Sequence, residues 1–278
     1  MQAFFNRRFV PEKQVRISAF DRGLLYGDGA FETMRIYGSR FFWLDQHLSR
    51  LMRGLRHLGI RIPYNAIELE FFLRELVLRN GVKDGFARIL VTRGEGALGF
   101  SPRGAATPQI VMVARPRSLD SWLRKHPVWR LCLLNGVTGG YGFKTLSYLP
   151  HVMAKKQAEQ SGYEDPILVD SKGQVMEAAA SNVFVADDGF LWTPPLSSGC
   201  LEGITRKAVI KVAKKSGARV IEKPMPVKAL KKAREIFITN SMLEIVPCVL
   251  GRKISNRVPV HTLAWQEKFE QFRDSQLA

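Results

Sequence analysis

Two hydrophobic periods alternate along this chain, and that alternation limits the fold more than any single residue does. Between 31 and 37, Phe31, Thr33, Arg35 and Tyr37 alternate with Glu32, Met34 and Ile36, the period-two signature of a strand. Gly38-Ser39 predicts a hairpin turn before FFWL. The period then lengthens: Leu48, Leu51, Met52, Leu55 and Leu58 recur at helical spacing behind Asp45, a residue that can cap the helix. A second helix is predicted over 65–79, ending at Asn80-Gly81, and strands over 86–93 and 108–115 complete a first α+β unit. Arg115-Pro-Arg-Ser118 reads as a linker. Beyond it, strands near 128–134, 166–170, 182–186 and 235–239 alternate with helices near 147–161, 204–216 and 227–233. Pro259 stands near the start of a last helix carrying Leu263, Trp265 and Phe269. The pattern predicts two α+β or α/β domains, a small N-terminal one at 1–118 and a larger one at 119–278, with the active site in the cleft between them.

The chain's 278 residues suffice for such cores, and a composition 46% hydrophobic and 24% charged is that of a globular protein. No apolar run approaches the roughly 20 residues of a membrane span, and MQAFFNRRFV lacks the apolar core of a signal peptide. Cys132, Cys200 and Cys248 are odd in number and far apart, so neither a disulfide framework nor a zinc site is expected, and a reducing cytoplasm is. The net charge of +17 raises nucleic acid as a partner. However, the basic residues are spread along the chain. The densest group, Lys207, Lys211, Lys214 and Lys215, lies at helical spacing among Val209, Ile210 and Val212, as on a solvated helix face. No specific nucleic acid is expected; the charge instead favours an anionic small substrate. Gly94-Glu-Gly96-Ala-Leu-Gly99 matches a dinucleotide fingerprint, but Phe100-Ser-Pro-Arg-Gly cannot open the helix that fingerprint requires, so it reads as a glycine-rich loop.

Chemistry enters with an ordered set of segments. Lys144 follows a glycine-rich approach, Gly139-Gly-Tyr-Gly142-Phe, and precedes an amphipathic helix. Glu177 ends a short strand and is followed by four small residues, Ala178 to Ser181, room for a planar ring against the backbone. Gly203-Ile-Thr205-Arg opens a helix whose N-terminus can bind phosphate, although Thr205 can equally be a cap. Asn240-Ser241 after EIFIT is a turn or a second phosphate contact, and Arg50 in HLSRL is solvated or a phosphate counter-charge. A lysine, an acid, a phosphate cradle and a selecting pocket are the parts that pyridoxal phosphate requires.

The segments DRGLLYGDGAFETMRIY, HLSRL, KTLSYL, EAAASNVF, GITR and TNSMLEIVP stand in an order and spacing that resembles the fold-type IV pyridoxal-phosphate enzymes. That group holds branched-chain aminotransferases, D-amino-acid aminotransferases and aminodeoxychorismate lyases. The resemblance implies pyridoxal 5'-phosphate bound in the interdomain cleft, with Lys144 as its covalent partner and Glu177 on its ring nitrogen. It also implies that Arg50, Ile204, Thr205 and Ser241 hold the phosphate. Ser181, Asn182 and Asn240 complete the candidate cofactor set, and Phe31, Thr33, Arg93, Leu98, Phe100 and Met242 the candidate substrate pocket. The resemblance further implies a homodimer whose 94–100 loop reaches the neighbouring subunit's pocket.

Within the group, Leu98 and Phe100 stand where D-amino-acid aminotransferases carry an arginine and a histidine, which disfavours that activity. Phe31-Glu32-Thr33 and the direct run of Lys144 into TLSYL are closer to aminodeoxychorismate lyase. That resemblance implies conversion of 4-amino-4-deoxychorismate to 4-aminobenzoate, a folate precursor, and pyruvate, with Lys144 moving the proton and Thr33 catalytic at the leaving group. Thr33 can equally be a strand residue chosen for its branching. The alternative is an aminotransferase of branched-chain or other apolar amino acids, with Leu98 and Phe100 as pocket walls.

Overall fold

The computed structural model describes residues 1–105, 107–117, 128–136, 140, 142–252 and 258–277. Ser118 of the predicted linker, and Gly139 and Tyr141 of the approach to Lys144, lie outside the described residues. The chain divides into two compact units. The first is Met1–Ser118 with Phe143–Tyr148 and Leu277; the second is Leu119–Gly142 and Leu149–Gln276 with Ala278.

The first unit is built on an antiparallel sheet of order β2-β1-β6-β5-β3-β4. Its strands are β1 (Gln2–Phe5), β2 (Arg8–Pro11), β3 (Gly29–Tyr37), β4 (Arg40–Phe41), β5 (Gly85–Thr92) and β6 (Gln109–Pro116). Helices α2 (Leu44–Leu58) and α3 (Ala66–Arg79) pack on the sheet, whereas the five-residue α1 (Arg22–Tyr26) precedes β3. The alternation in β3 has its predicted consequence. Ala30, Glu32, Met34 and Ile36 are buried beneath the helices, and Phe31, Thr33, Arg35 and Tyr37 are partly exposed. The helical period does the same for α2 and α3, whose Leu48, Leu51, Leu55, Leu69, Leu73 and Leu76 meet Met34, Ile36, Ile89 and Met112 in one core. Gly38 and Ser39 make the turn into β4 with φ of 52° and 65°, the left-handed backbone that suits a two-residue hairpin.

One helix start differs from expectation. Asp45 is not the cap of α2: Trp43, at φ 50°, holds that position without a side-chain bond, and Asp45 lies in the first turn. There its charge acts on the helix dipole instead of on a single N–H. α3 has the better-built start. Asn65 accepts from the N–H groups of Ile67 and Glu68, and Glu68 reaches back to the Asn65 N–H. Asn65→Ala is expected to lower stability by about 1 kcal/mol in chemical denaturation, with the slope against denaturant unchanged.

The second unit holds a mixed eight-stranded sheet of order β12-β11-β10-β13-β14-β7-β8-β9. Its elements are β7 (Trp129–Asn135), α4 (Leu149–Gln160), β8 (Asp165–Val169), β9 (Val175–Ala178), β10 (Asn182–Asp187), β11 (Phe190–Thr193), α5 (Ile204–Lys215), β12 (Arg219–Glu222), α6 (Val227–Lys231), β13 (Glu235–Asn240), β14 (Glu244–Leu250) and α7 (Val260–Leu277). The predicted strands near 128–134, 166–170, 182–186 and 235–239 are present, as are the four helices. The short strand predicted to end at Glu177 is present as β9, which runs on to Ala178, whereas β11, β12 and β14 are additional. β14 contains Pro247, which in sequence argues against a strand. Its missing N–H is accommodated because the parallel ladder to β7 begins only at Cys248. Cys200 and Cys248 are buried and no cysteine is paired. Among the described residues no helix is long and apolar enough to cross a membrane. Residues 94–100 are a loop followed by no helix, as the rejection of the dinucleotide fingerprint requires.

Candidate active site

In the first unit, Lys144 is fixed by backbone pairing along an edge of β3. The Phe31 N–H donates to the Lys144 carbonyl at 3.0 Å, the Leu146 N–H donates to the Gly29 carbonyl at 3.0 Å, and Thr145 bridges Ala30. Phe143 anchors the segment over Gly54 of α2, where any Cβ would lie 2.6 Å from its ring. The Lys144 Nζ lies 5.2 Å from the Phe31 ring centroid, 5.4 Å from that of Tyr148 and 3.3 Å from the Tyr148 hydroxyl. Two aromatic rings, one of them a phenol, therefore lie beside the amine, which favours its charge through the ring faces and orients it through the phenol oxygen.

Thr33 shares the partly exposed face of β3 with Phe31. Its hydroxyl accepts from Arg88 Nε at 3.0 Å, and the Arg88 guanidinium lies 5.4 Å from the Phe31 ring centroid. Phe31 thus has the Lys144 amine and the Arg88 guanidinium both within cation–π reach. Neither Arg88 nor Tyr148 is among the residues singled out from sequence. The signal for Arg88 was the alternation of β5, where Phe86, Arg88 and Leu90 share a face; its use needed the register Thr33↔Arg88.

Arg50 is not solvated. It is among the most deeply buried side chains, and its Nε and Nη2 donate to the two Glu32 oxygens at 2.6 and 2.9 Å. The other Glu32 partner is His47 Nδ1, at 2.8 Å. Burial alone would raise the Glu32 pKa, but the charge of Arg50 and the His47 bond outweigh it and bring the carboxyl to about 2. Burial pushes the His47 pKa down despite Glu32, so the imidazole is held towards its neutral form. His47 and Arg50, three apart on α2, reach one buried residue of β3.

The remaining first-unit candidates differ in character. Arg93 donates to Asp28 at 2.7 Å and to the carbonyl of Leu58, the last residue of α2, at 2.7 Å. Leu98 and Phe100 project from their loop 81% and 89% exposed.

In the second unit, Glu177 is buried in β9 and accepts from the Leu201 N–H at 3.0 Å. Asn182 donates to the Leu201 carbonyl at 2.8 Å and lies against Gly203, where a Cβ would come within 2.0 Å of its Oδ1. Gly203 caps α5 without any side-chain bond, so the first turn of α5, with the buried Ile204 and Thr205, has no side-chain cap. Asn240 builds the turn predicted at that point. Its Oδ1 accepts from the N–H groups of Met242 and Leu243 at 2.8 Å each, and its Nδ2 donates to Ser181 Oγ at 2.8 Å. Ser241 and Met242, within that turn, are half-buried. Next to them the buried Thr239 Oγ1 has no hydrogen-bond partner.

A family profile described as amino-transferase class IV matches residues 29–250, a span that contains Lys144, Glu177, Thr205 and Ser241. The chain belongs to the class IV aminotransferase family. It is 38% identical over 286 residues to a putative branched-chain-amino-acid aminotransferase of Methanocaldococcus jannaschii, covering 98% of this chain and 96% of that one. It is 33% identical over 249 residues to the aminodeoxychorismate lyase of Bacillus subtilis, covering 88% and 84%. The structure of the Escherichia coli branched-chain amino acid aminotransferase superposes with a TM-score of 0.91 at 26% identity, covering 100% of this chain and 96% of that one. The fold is therefore fold-type IV.

The cofactor of this class IV enzyme is pyridoxal 5'-phosphate, and the donor set fits it. The α5 start lacks a side-chain cap at a glycine that tolerates no Cβ, and Thr205 adds a hydroxyl there, as an anion site requires. Within the second unit, the unpartnered Thr239 hydroxyl lies beside the Asn240 turn and Glu177 supplies a buried acid; within the first unit, Lys144 supplies an amine.

Proposed function

We propose that this chain is an aminotransferase that moves the amino group of branched-chain or other apolar amino acids to a keto acid. The carrying observation is the Lys144 face of the first unit, an amine between Phe31 and Tyr148 with the Arg88 guanidinium held nearby by Thr33. An aromatic surface beside a cation suits an apolar substrate that also bears a carboxylate. Arg88 answers the difficulty that Leu98 and Phe100 raise, because a carboxylate needs a cationic partner somewhere. The 38% identity to the Methanocaldococcus relative supports the same reading.

In this reading Lys144 would carry the cofactor, and its freed amine, oriented by the Tyr148 hydroxyl, would take the proton from the substrate carbon next to nitrogen. It would deliver that proton on the cofactor side of the C–N bond, so that nitrogen stays behind when water releases the keto acid. Glu177 keeps the ring nitrogen protonated, steadied by the Leu201 N–H. The α5 start, Thr205, Ser241 and Arg50 hold the phosphate. The bound cofactor supplies the electron sink that makes the substrate C–H acidic. The exposed apolar side chains Phe20, Leu24, Leu98 and Phe100 support a homodimer, and a monomeric mass in solution would overturn that.

A second reading, the aminodeoxychorismate lyase, is favoured by Thr33, whose hydroxyl shares the strand face of Phe31 beside Lys144. One experiment separates the two. The cofactor-loaded enzyme is given leucine, isoleucine or valine with a keto acid and, separately, 4-amino-4-deoxychorismate without one. The aminotransferase yields the branched keto acid in step with amino-acid loss and no 4-aminobenzoate. Sustained equimolar 4-aminobenzoate and pyruvate, with no branched keto acid, would overturn it in favour of the lyase.

A further inference from the structure

We propose that Arg22 is a positioning residue. It sets the conformation of the 94–100 loop and, through it, the apolar selectivity contributed by Leu98 and Phe100; the selectivity rests on the aminotransferase reading above.

Arg22 opens α1 and is only 3% exposed. Its Nε donates to Asp28 at 3.0 Å. Its Nη1 donates to the Gly99 carbonyl at 2.9 Å and the Ala97 carbonyl at 3.4 Å, and its Nη2 to the Phe100 carbonyl at 3.1 Å. A single buried guanidinium thus spends most of its donors on backbone oxygens of one loop. The main chain adds to the hold: the Arg22 N–H donates to the Gly94 carbonyl at 2.9 Å, and Asp21 bridges Glu95. Tyr26, on the same short helix, accepts from the Gly99 N–H at 3.0 Å while its ring lies 4.9 Å from the guanidinium. The loop lies against the arginine stem so closely that a Cβ on Gly96 would meet Arg22 Cδ at 2.9 Å.

The carbonyls held are those of Ala97, Gly99 and Phe100, which bracket the two exposed side chains. Leu98 and Phe100 are therefore apolar side chains that project from a constrained backbone, the arrangement of a preset binding wall and not of a collapsing loop. The far end of the same turn contacts the lysine segment, since Ser147 Oγ donates to the carbonyls of Tyr26 and Gly27 at 3.3 Å each. An ion pair alone would not need this geometry. Asp28 already accepts from Arg93, and a lysine at 22 would satisfy its charge. A lysine has no planar fork, however, and cannot reach three carbonyls at once.

Arg22→Lys and Arg22→Gln, as full-length cofactor-loaded enzyme, test this in two ways. Hydrogen exchange read peptide by peptide is expected to speed up about tenfold over 94–100 in both variants, as loss of a hydrogen bond to a charged group implies, with β3, β5 and β6 unchanged. KM for leucine is expected to rise several-fold relative to KM for alanine in Arg22→Lys, with kcat within about twofold of the parent. Unchanged loop exchange in both variants overturns the proposal, as does a KM that rises equally for leucine and alanine, which would leave Arg22 a merely structural ion-pair partner. A parent enzyme that transfers no amino group from either substrate refutes the aminotransferase reading instead, and loop exchange then decides the clasp by itself.

Discussion

Lys144→Ala is expected to cut turnover of every amino acid by about 10²–10⁴-fold, the range that a positioned proton-transfer group contributes. It is also expected to leave a protein whose cofactor washes out on dialysis. Both follow from the one amine that the Lys144 face presents, held by Phe31 and Tyr148. The loss is chemical and not structural. The backbone bonds that fix residue 144, from the Phe31 N–H to its carbonyl and from the Leu146 N–H to Gly29, do not involve its side chain. The variant therefore melts close to the parent when both lack cofactor. Tyr148→Phe provides the graded control, removing only the oxygen 3.3 Å from Nζ, with a loss well below that of Lys144→Ala. A Lys144→Ala protein that kept its visible cofactor absorbance through dialysis and turned over at the parent rate would sink the assignment.

Glu32→Ala is expected to lower the stability of the cofactor-free protein by about 3–5 kcal/mol, because it removes the carboxylate that both Nε and Nη2 of the buried Arg50 bond. The effect depends on pH with a definite sign. Glu32 has an ordinary pKa of 4.5 and about 2 in the fold, where burial is outweighed by Arg50 and His47. A carboxyl depressed in this way stabilises fully above its unfolded pKa and loses that contribution as pH falls from about 5 towards 2. His47, whose pKa burial pushes down from 6.5, also loses stability as pH falls, so it adds to the acid limb and does not offset it. Denaturant titrations across that range are expected to show a steep acid limb in the parent and a shallower one in Glu32→Gln, which keeps the shape and removes the titrating group. Equal acid limbs in parent and Glu32→Gln, or a Glu32→Ala as stable as the parent at pH 7, would show that the pair carries no such weight.

Much of the first unit was legible before any coordinates. Phe31, Thr33, Arg35 and Tyr37 fall on one face because a strand has period two, and Leu48, Leu51 and Leu55 fall on another because a helix has period 3.6. Asp45 illustrates the limit of such reading: its type permitted a cap, but Trp43 in the left-handed region moved the helix start by a residue or two. In the second unit β11 and β12 are only four residues each, too short for a period to register, and Pro247 interrupts the pattern of β14; the equally short β9 was legible only because Glu177 and the small residues after it marked its end. Asn240 could be read as a turn or as a contact. Its side chain builds the turn, because an amide oxygen two residues ahead of an N–H is well placed to accept from it.

By itself the sequence determined the mixed α/β character, the strand face that Phe31 and Thr33 share, and the ordered segments that mark the class IV family. These follow from local period and from residue type at fixed spacing, and need no knowledge of what lies across the fold. Only the tertiary structure decided that Arg88 reaches Thr33 across 55 residues of chain, that Arg50 is buried against Glu32, and that Arg22 holds a loop about 75 residues away. Each of those depends on strand register or on how a helix or loop lies against a sheet. Such choices are made by burial summed over many side chains, and no single segment encodes them.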